Sequence, residues 1–347
     1  RPREHQIVGW LYFIFAWLSL VVINGILAFM LTPGKWLENG NFWSGFFNPS
    51  YLPSLFFRTF LSLMIAGLFG FLTASFIKKA DLRTRMIRYN AKWLLIPAVF
   101  MAGSAWWYFN AIDAVSQLML QGGAPRAHSF LELGIHTTGL IIIGGLLISL
   151  KLPSSLCRPL AFILVFAGLV QFGAMEFSRE LARRPYIINN YMFSTSIMES
   201  DLEQINQDGL LAHAKWVKHK MIKNDNQMDV GRDLFNIQCA ACHTIGGPMN
   251  DILPLTQKFS VFGMDSFLNG MGKINGYMPL YAGIAEERNI LATYIVSELH
   301  GKPAMGPSAA NPTELKVEIP EFDIESDEYV LIAWNDKGMH SMTDQDS

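Results

Sequence analysis

Up to about residue 178 the chain alternates long apolar runs with short polar connections, and beyond that point the alternation stops. Runs of about 20 apolar residues, the length that crosses a hydrocarbon core, occupy Ile7 to Leu31, Leu55 to Ile77, Trp93 to Ile112, Leu131 to Leu150 and Leu160 to Phe177. The pattern predicts five membrane-spanning helices. Lys78, Lys79, Arg83, Arg85, Arg88 and Lys92 fill the second connection, and Lys151 and Arg158 flank the fourth. Basic connections favour the cytoplasmic side. Arg1 and Arg3 place the N-terminus on that side too, so an odd number of spans delivers everything after residue 178 to the opposite, periplasm-like face of a bacterial inner membrane. Trp10, Trp36, Trp93, Trp106, Trp107 and Tyr108 fall near span ends and read as an interfacial aromatic belt.

Composition agrees with this division. Hydrophobic residues make up 51% of the 347 and charged residues only 16%, the balance of a chain embedded in lipid rather than a soluble one. A net charge of -2, with no basic cluster among aromatics in the polar part, excludes nucleic acid as a partner. Of the three cysteines, Cys239 and Cys242 belong to one motif, and Cys157 stands alone beside a span, so there is no disulfide framework. Arg1 in place of Met is expected of a processed or incomplete N-terminus. The predicted order is a membrane bundle over 1–186, a partly helical connector over 187–227 (helical at Ser196 to Gln204 and Leu210 to Lys223), a small domain over 228–300, and a Pro/Gly linker with an acidic tail over 301–347. Within the tail, Glu328 to Trp334 and the turn Asn335-Asp336-Lys337-Gly338 predict a short β-hairpin. Its acidity suits the steering of a basic redox partner.

Cys239-Ala240-Ala241-Cys242-His243 is the pattern that attaches a c-type haem: two thiols reach the vinyl groups of one porphyrin edge while the adjacent imidazole meets the iron. Gly231 to Ile237 reads as a short helix entering the motif and Glu286 to Leu299 as an amphipathic closing helix. Between them, Met278 precedes Pro279 on a constrained loop. A soft thioether there suits the second axial position of a high-potential electron carrier; Met264 and Met271 are the alternatives. Pro254, or else Pro248, is expected to supply the carbonyl that orients the His243 ring. The stretch from about 228 to 300 resembles a class I cytochrome c. Two filled axial positions leave no site for substrate, so the expected work is electron transfer.

The spans hold few ionisable residues: Arg58, Glu132, His136, Glu176 and Glu180, with Asp113 near a span end. Each is a functional candidate because a charge in lipid is costly; Arg58, Asp113 and Glu132 also lie close enough to span ends to reach the interface. His136 sits about 8 Å into its span, as a ligand or as a structural hydrogen-bonder. Arg179, Arg183 and Arg184 follow the fifth span on the side where basic residues are scarce, which calls for haem propionates, an acidic partner, or plain solvation.

Glu180-Leu-Ala-Arg183-Arg184-Pro185-Tyr186, following Gly173, resembles the Glu-x-Gly-Arg-Gln-Pro-Trp segment of the large subunit of cytochrome bd quinol oxidases. Asn24-Gly25 and Asn48-Pro49 before Phe57-Arg58-Thr59 are similar to that family's fourth and fifth helices. The resemblance implies that Glu180 ligates a haem b, that Arg183 is its electrostatic partner, and that His136, by helix order, stands where the family has a Met haem ligand. The chain departs from the family where Arg58 replaces a haem-binding His, where Tyr186 replaces Trp and Arg184 replaces Gln, and in the shortness of the connection from Asp113 to Phe130. The family's first three helices have no counterpart. The resemblance thus implies an all-α chain, a five-span transmembrane bundle followed by a class I cytochrome c domain, acting as electron-transfer subunit of a bd-like respiratory complex. One covalent haem c and haem b in the membrane half would be its cofactors. Other membrane subunits, a periplasmic redox protein and the lipid bilayer would be its partners, and a partner subunit would supply any oxygen-reducing site. The alternatives are a membrane-anchored cytochrome c serving as carrier and scaffold, and a quinol dehydrogenase feeding periplasmic cytochromes.

Overall fold

In the computed structural model, which describes residues 2–150, 153–303, 332–335 and 338–341, the apolar runs form five helices long and apolar enough to cross a membrane. They are α1 (Pro2–Leu31), α2 (Tyr51–Ser75), α3 (Ala80–Ala111), α4 (Pro125–Ser149) and α5 (Ser154–Ala182). The chain is a multi-pass membrane protein. Each helix is longer than its apolar run. With 32 residues, α3 is about 48 Å long and overshoots a core of about 30 Å. Arg83, Arg85, Arg88 and Lys92 therefore ride on its first turns instead of in a loop, and the connection shrinks to Phe76–Lys79.

The bundle packs α2 along α3 and α4 along α5, with α2 on α5 and α3 on α4. Phe57, Leu61, Met64, Leu68 and Phe71 of α2 meet Leu94, Ala98 and Met101 of α3, Ile141 and Ile148 of α4 and Leu164 of α5 in one core. Apolar side chains gain nothing by leaving lipid for protein, so close backbone approach has to hold the helices. Gly67 permits it: a Cβ there would lie 2.9 Å from the Leu94 backbone nitrogen. Helix α1 joins this bundle only towards its C-terminal end, where Asn24, Gly25, Ala28 and Leu31 are buried.

After α5 the chain makes a small antiparallel pair, β1 (Tyr186–Ile188) with β2 (Met192–Phe193), ahead of the connector stretches expected to be helical. Helix α6 (Leu202–Asp208) and a single turn, Leu210–His213, follow. Residues 214–223 are not helical. Val217 and Ile222 both pack on the core that follows, and a spacing of five would put them about 140° apart on a helix. The remaining lobe comprises α7 (Gln227–Gln238), α8 (Val261–Asn269) and α9 (Ala285–Thr293), the last widening into a π turn over Tyr294–Glu298. Gly231 lets α7 cross this closing segment, since a Cβ there would stand 2.4 Å from Tyr294 Cβ. Ile205, Leu210 and Leu211 share a core with Leu234, Phe235, Leu268, Leu291 and Ile295, so the connector is part of the lobe rather than a tether to it. Glu287, 2% exposed, fastens it by accepting from Leu210 N and Leu211 N, both at 2.8 Å.

In the tail, β3 (Ile332–Asn335) pairs antiparallel with β4 (Gly338–Ser341), with Asn335 opposite Gly338. Of the expected hairpin, the part from Glu328 to Leu331 and the turn residues Asp336 and Lys337 lie outside the described residues. The predicted Pro/Gly linker beyond residue 303 and the rest of the acidic end lie outside the described residues.

Candidate functional site

The Cys-x-x-Cys-His motif caps α7 with one more turn. Cys239 N donates to Phe235 O at 2.8 Å, and His243 N to Cys239 O at 2.8 Å. That turn sets residues 239, 242 and 243 at i, i+3 and i+4, the spacing that faces one side of a helix. This is the spacing at which two thiols and an imidazole can serve one porphyrin edge. Cys239 is buried and Cys242 half-buried; burial, with the neighbouring Cys242, pushes the Cys239 thiol up to about 12.

The His243 ring is held from behind. Its Nδ1 lies 2.8 Å from Asn250 O, and a carbonyl only accepts, so Nδ1 carries the proton and Nε2 keeps a free lone pair. The orienting carbonyl is therefore that of Asn250, not Pro254 or Pro248. Pro254 lies in the helical turn Ile252–Thr256, whereas Asn250 stands in the left-handed region at φ 42°, which turns its carbonyl back onto the ring. The Asn250 side chain locks the loop by donating to Cys242 O at 3.1 Å and accepting from Arg126 Nη1 at 3.1 Å. Met278 is partly buried against the lobe core, whereas Met264 and Met271 are packed inside it. Next to Met278, Tyr277 Oη accepts from Ala127 N at 3.2 Å. That N–H is one of the orphans at the start of α4, so a lobe side chain caps a membrane helix.

Four arginines and two glutamates form a ladder from the interior of the bundle to this site. Arg58 is only 6% exposed. It donates Nε at 3.0 Å and Nη2 at 2.8 Å to Glu176 Oε1, and Nη1 to Asn24 Oδ1 at 2.6 Å. Arg179 Nε donates to Glu176 Oε2 at 2.9 Å and its Nη2 lies 3.6 Å from Glu180 Oε2. Glu180 also takes Arg183 and, at 3.3 Å, Arg184 Nη2. Arg183 turns its third nitrogen to the carbonyls of Tyr186 and Ile187, at 3.0 and 2.7 Å. Arg184 Nη1 ends the ladder 3.2 Å from Cys242 Sγ. The basic triplet at the end of α5 thus finds its acidic partners within the chain. Beside the lower rung a groove of about 420 Å³ runs between α1, α2 and α5, lined by Leu20, Ile23, Leu61, Ile65 and Phe172 with Arg58 and Glu176.

The haem b residues do not converge. Phe130 of α4 stacks on Phe177 of α5, and Thr138 Oγ1 accepts from Gln171 Nε2 at 3.1 Å. His136 is therefore level with the middle of α5, about 10 Å along it from Glu180, and is exposed. Both Glu180 oxygens are occupied by guanidiniums, and among the described residues no three His, Cys, Asp or Glu side chains gather as a metal-holding group. These residues do not by themselves fit a membrane haem; a second chain would have to complete one.

The motif region does fit a covalent haem. Ile245, Leu255, Ile274 and Leu280 are left exposed on segments flanking the motif and Met278, as an apolar macrocycle requires. Asn250, Tyr277 and Glu287 are the residues that sequence reasoning missed. The only available sign was an Asn in a Gly/Pro-rich loop, where left-handed backbone is tolerated. Comparisons with protein-family models, with curated proteins and with solved structures give no match, so the functional reading rests on these residues.

Proposed function

We propose that the chain is an electron-transfer subunit of a membrane respiratory complex, with one haem c on its lobe passing electrons between a partner outside the membrane and a centre within it. The observation that carries this reading is the turn 239–243, which presents two sulfurs and an imidazole whose Nδ1 is held 2.8 Å from Asn250 O. Haem supplies a reversible one-electron iron couple. Cys239 and Cys242 would hold the porphyrin edge, His243 and Met278 the two axial positions, and Asn250 the ring orientation. If His243 and Met278 both bind the iron, substrate would find no entry there and the haem would serve electron transfer.

The cytochrome bd-like part of the proposal rests on the Glu180–Arg183–Arg184 segment and on bundle topology. Arg158 Nε donates to Ser75 O at 3.3 Å, which brings the basic connections together at the end of the bundle away from the lobe. That arrangement supports a cytoplasmic N-terminus and a periplasmic lobe in a bacterial inner membrane. Haem b belongs to the proposal only where another subunit completes its coordination. A second reading, a carrier and scaffold without membrane haem, is favoured by the full occupation of Glu180.

Met278→Ala in the full chain tests the site. The expected result is a haem c that turns high-spin and loses potential, because a soft ligand favouring reduced iron is gone. An unchanged spectrum would remove Met278 from the iron. Counting haems in the purified complex separates the two readings: c-type haem alone would leave the scaffold.

A further inference from the structure

The Cys242 side of the lobe is seated on the membrane bundle at three points. Arg184 Nη1 stands 3.2 Å from Cys242 Sγ, Arg126 holds the Asn250 side chain at 3.1 Å, and Tyr277 caps α4 at 3.2 Å. On the haem c reading, Cys242 Sγ would be one of the two sulfurs that hold the porphyrin edge. Arg184, a guanidinium, is 23% exposed at its side chain. Its other nitrogen meets Glu180 at 3.3 Å. Through Arg179 the same carboxylate leads to Glu176 and to Arg58. Four guanidiniums face two carboxylates along this path, so the ladder carries a surplus of positive charge up to the motif.

We propose that Arg184 is a positioning residue for electron transfer, a fixed cation at the rim of haem c that raises its reduction potential and links it electrically to the Glu180–Glu176 ladder. This rests on the haem c reading given above. Reduction adds one electron from a one-electron donor, with no bond made or broken and no proton moved, and lowers the positive charge of the iron site by one. A neighbouring cation repels the oxidised form more than the reduced one. The contact is only partly shielded from water, so the effect is moderate. Glu180 offsets part of it, and the unpaired remainder favours the electron. The rim that carries Cys242 thereby becomes the side of the lobe that trades electrons with the membrane.

Spectroelectrochemical titration of the full chain in nanodiscs, with Arg184 changed to Lys, Gln or Glu, tests this. Arg184→Gln is expected to move the reduced-to-oxidised ratio at fixed potential about three- to tenfold towards oxidised, a drop of about 30–60 mV at 59 mV per tenfold. Arg184→Glu should roughly double that drop, and Arg184→Lys should stay near the wild type. Potentials ordered by charge in this way support the proposal, because loosened packing would lower all three alike. Equal potentials in the Lys, Gln and Glu variants, or a rise in Arg184→Glu, would overturn it. The same samples report the covalent haem band: its absence from the wild type would overturn the underlying haem reading, whereas loaded haem with a charge-independent potential would overturn only the role of Arg184.

Discussion

Removing one carboxylate from the ladder tests whether it is a structural unit. Glu176→Gln keeps the shape of the side chain and deletes its charge. Arg58, 6% exposed, then loses the countercharge of the group that took its Nε at 3.0 Å and its Nη2 at 2.8 and 3.1 Å, and with one carboxylate oxygen replaced by an NH2 group Arg179 loses its 2.9 Å partner. Apart from one neutral amide oxygen, Arg58 is left with Asn24. Breaking a buried pair from one side typically costs about 3–5 kcal/mol, because the remaining charge stays desolvated, whereas replacing both members by apolar groups is often neutral. The prediction is therefore a pattern: Glu176→Gln loses about 3–5 kcal/mol, Arg58→Met rather less, and Arg58→Met/Glu176→Met recovers part of the Glu176→Gln loss, Arg179 keeping only Glu180 as its partner. Reversible unfolding of the detergent-solubilised chain in graded SDS, followed by tryptophan fluorescence, measures it. A double variant as unstable as the sum of the singles, or a Glu176→Gln chain as stable as the wild type, would refute the reasoning.

Other residues give further checks. Tyr277→Phe removes the hydroxyl that accepts from Ala127 N at 3.2 Å; a loss of about 1 kcal/mol, the usual worth of a cap, and faster proteolysis of the lobe are expected in a melt and a trypsin time course. Glu287→Ala orphans the buried Leu210 and Leu211 amides and is expected to cost about 3 kcal/mol, read as early thermal loss of lobe structure. Burial, together with the Glu199 carboxylate, pushes the Tyr186 phenol up to about 12. Between its usual value and that one, the unfolded chain sheds a proton that the folded chain keeps, so stability falls as pH rises through this window; Tyr186→Phe should flatten that fall in alkaline denaturation curves.

The large features were legible because they follow from repeated, strong signals. Twenty-residue apolar runs have one solution in lipid, and Gly231 with Leu234 and Phe235 marks the face of α7. The helix ends were not legible, because lipid thickness limits the apolar run but not the helix, so Ala80 to Lys92 reads as a loop and folds as three turns. Nor was the partner of the basic triplet: Glu176 and Glu180 sit at i−3 and i−4 from Arg179, Arg183 and Arg184, close enough in sequence to see, yet the pairing of Glu176 with Arg58 crosses 118 positions. The ring-orienting carbonyl was missed because the choice between Pro254 and Asn250 depends on one left-handed φ, which composition does not show.

The central claim, a covalent haem on Cys239 and Cys242, is tested most directly by haem-dependent peroxidase staining of the fully denatured chain, with a pyridine haemochrome spectrum of the same material. The wild type should keep a c-type haem through denaturation, and a Cys239→Ser/Cys242→Ser chain should keep none. A wild-type chain that gives up all its haem on denaturation would contradict the claim.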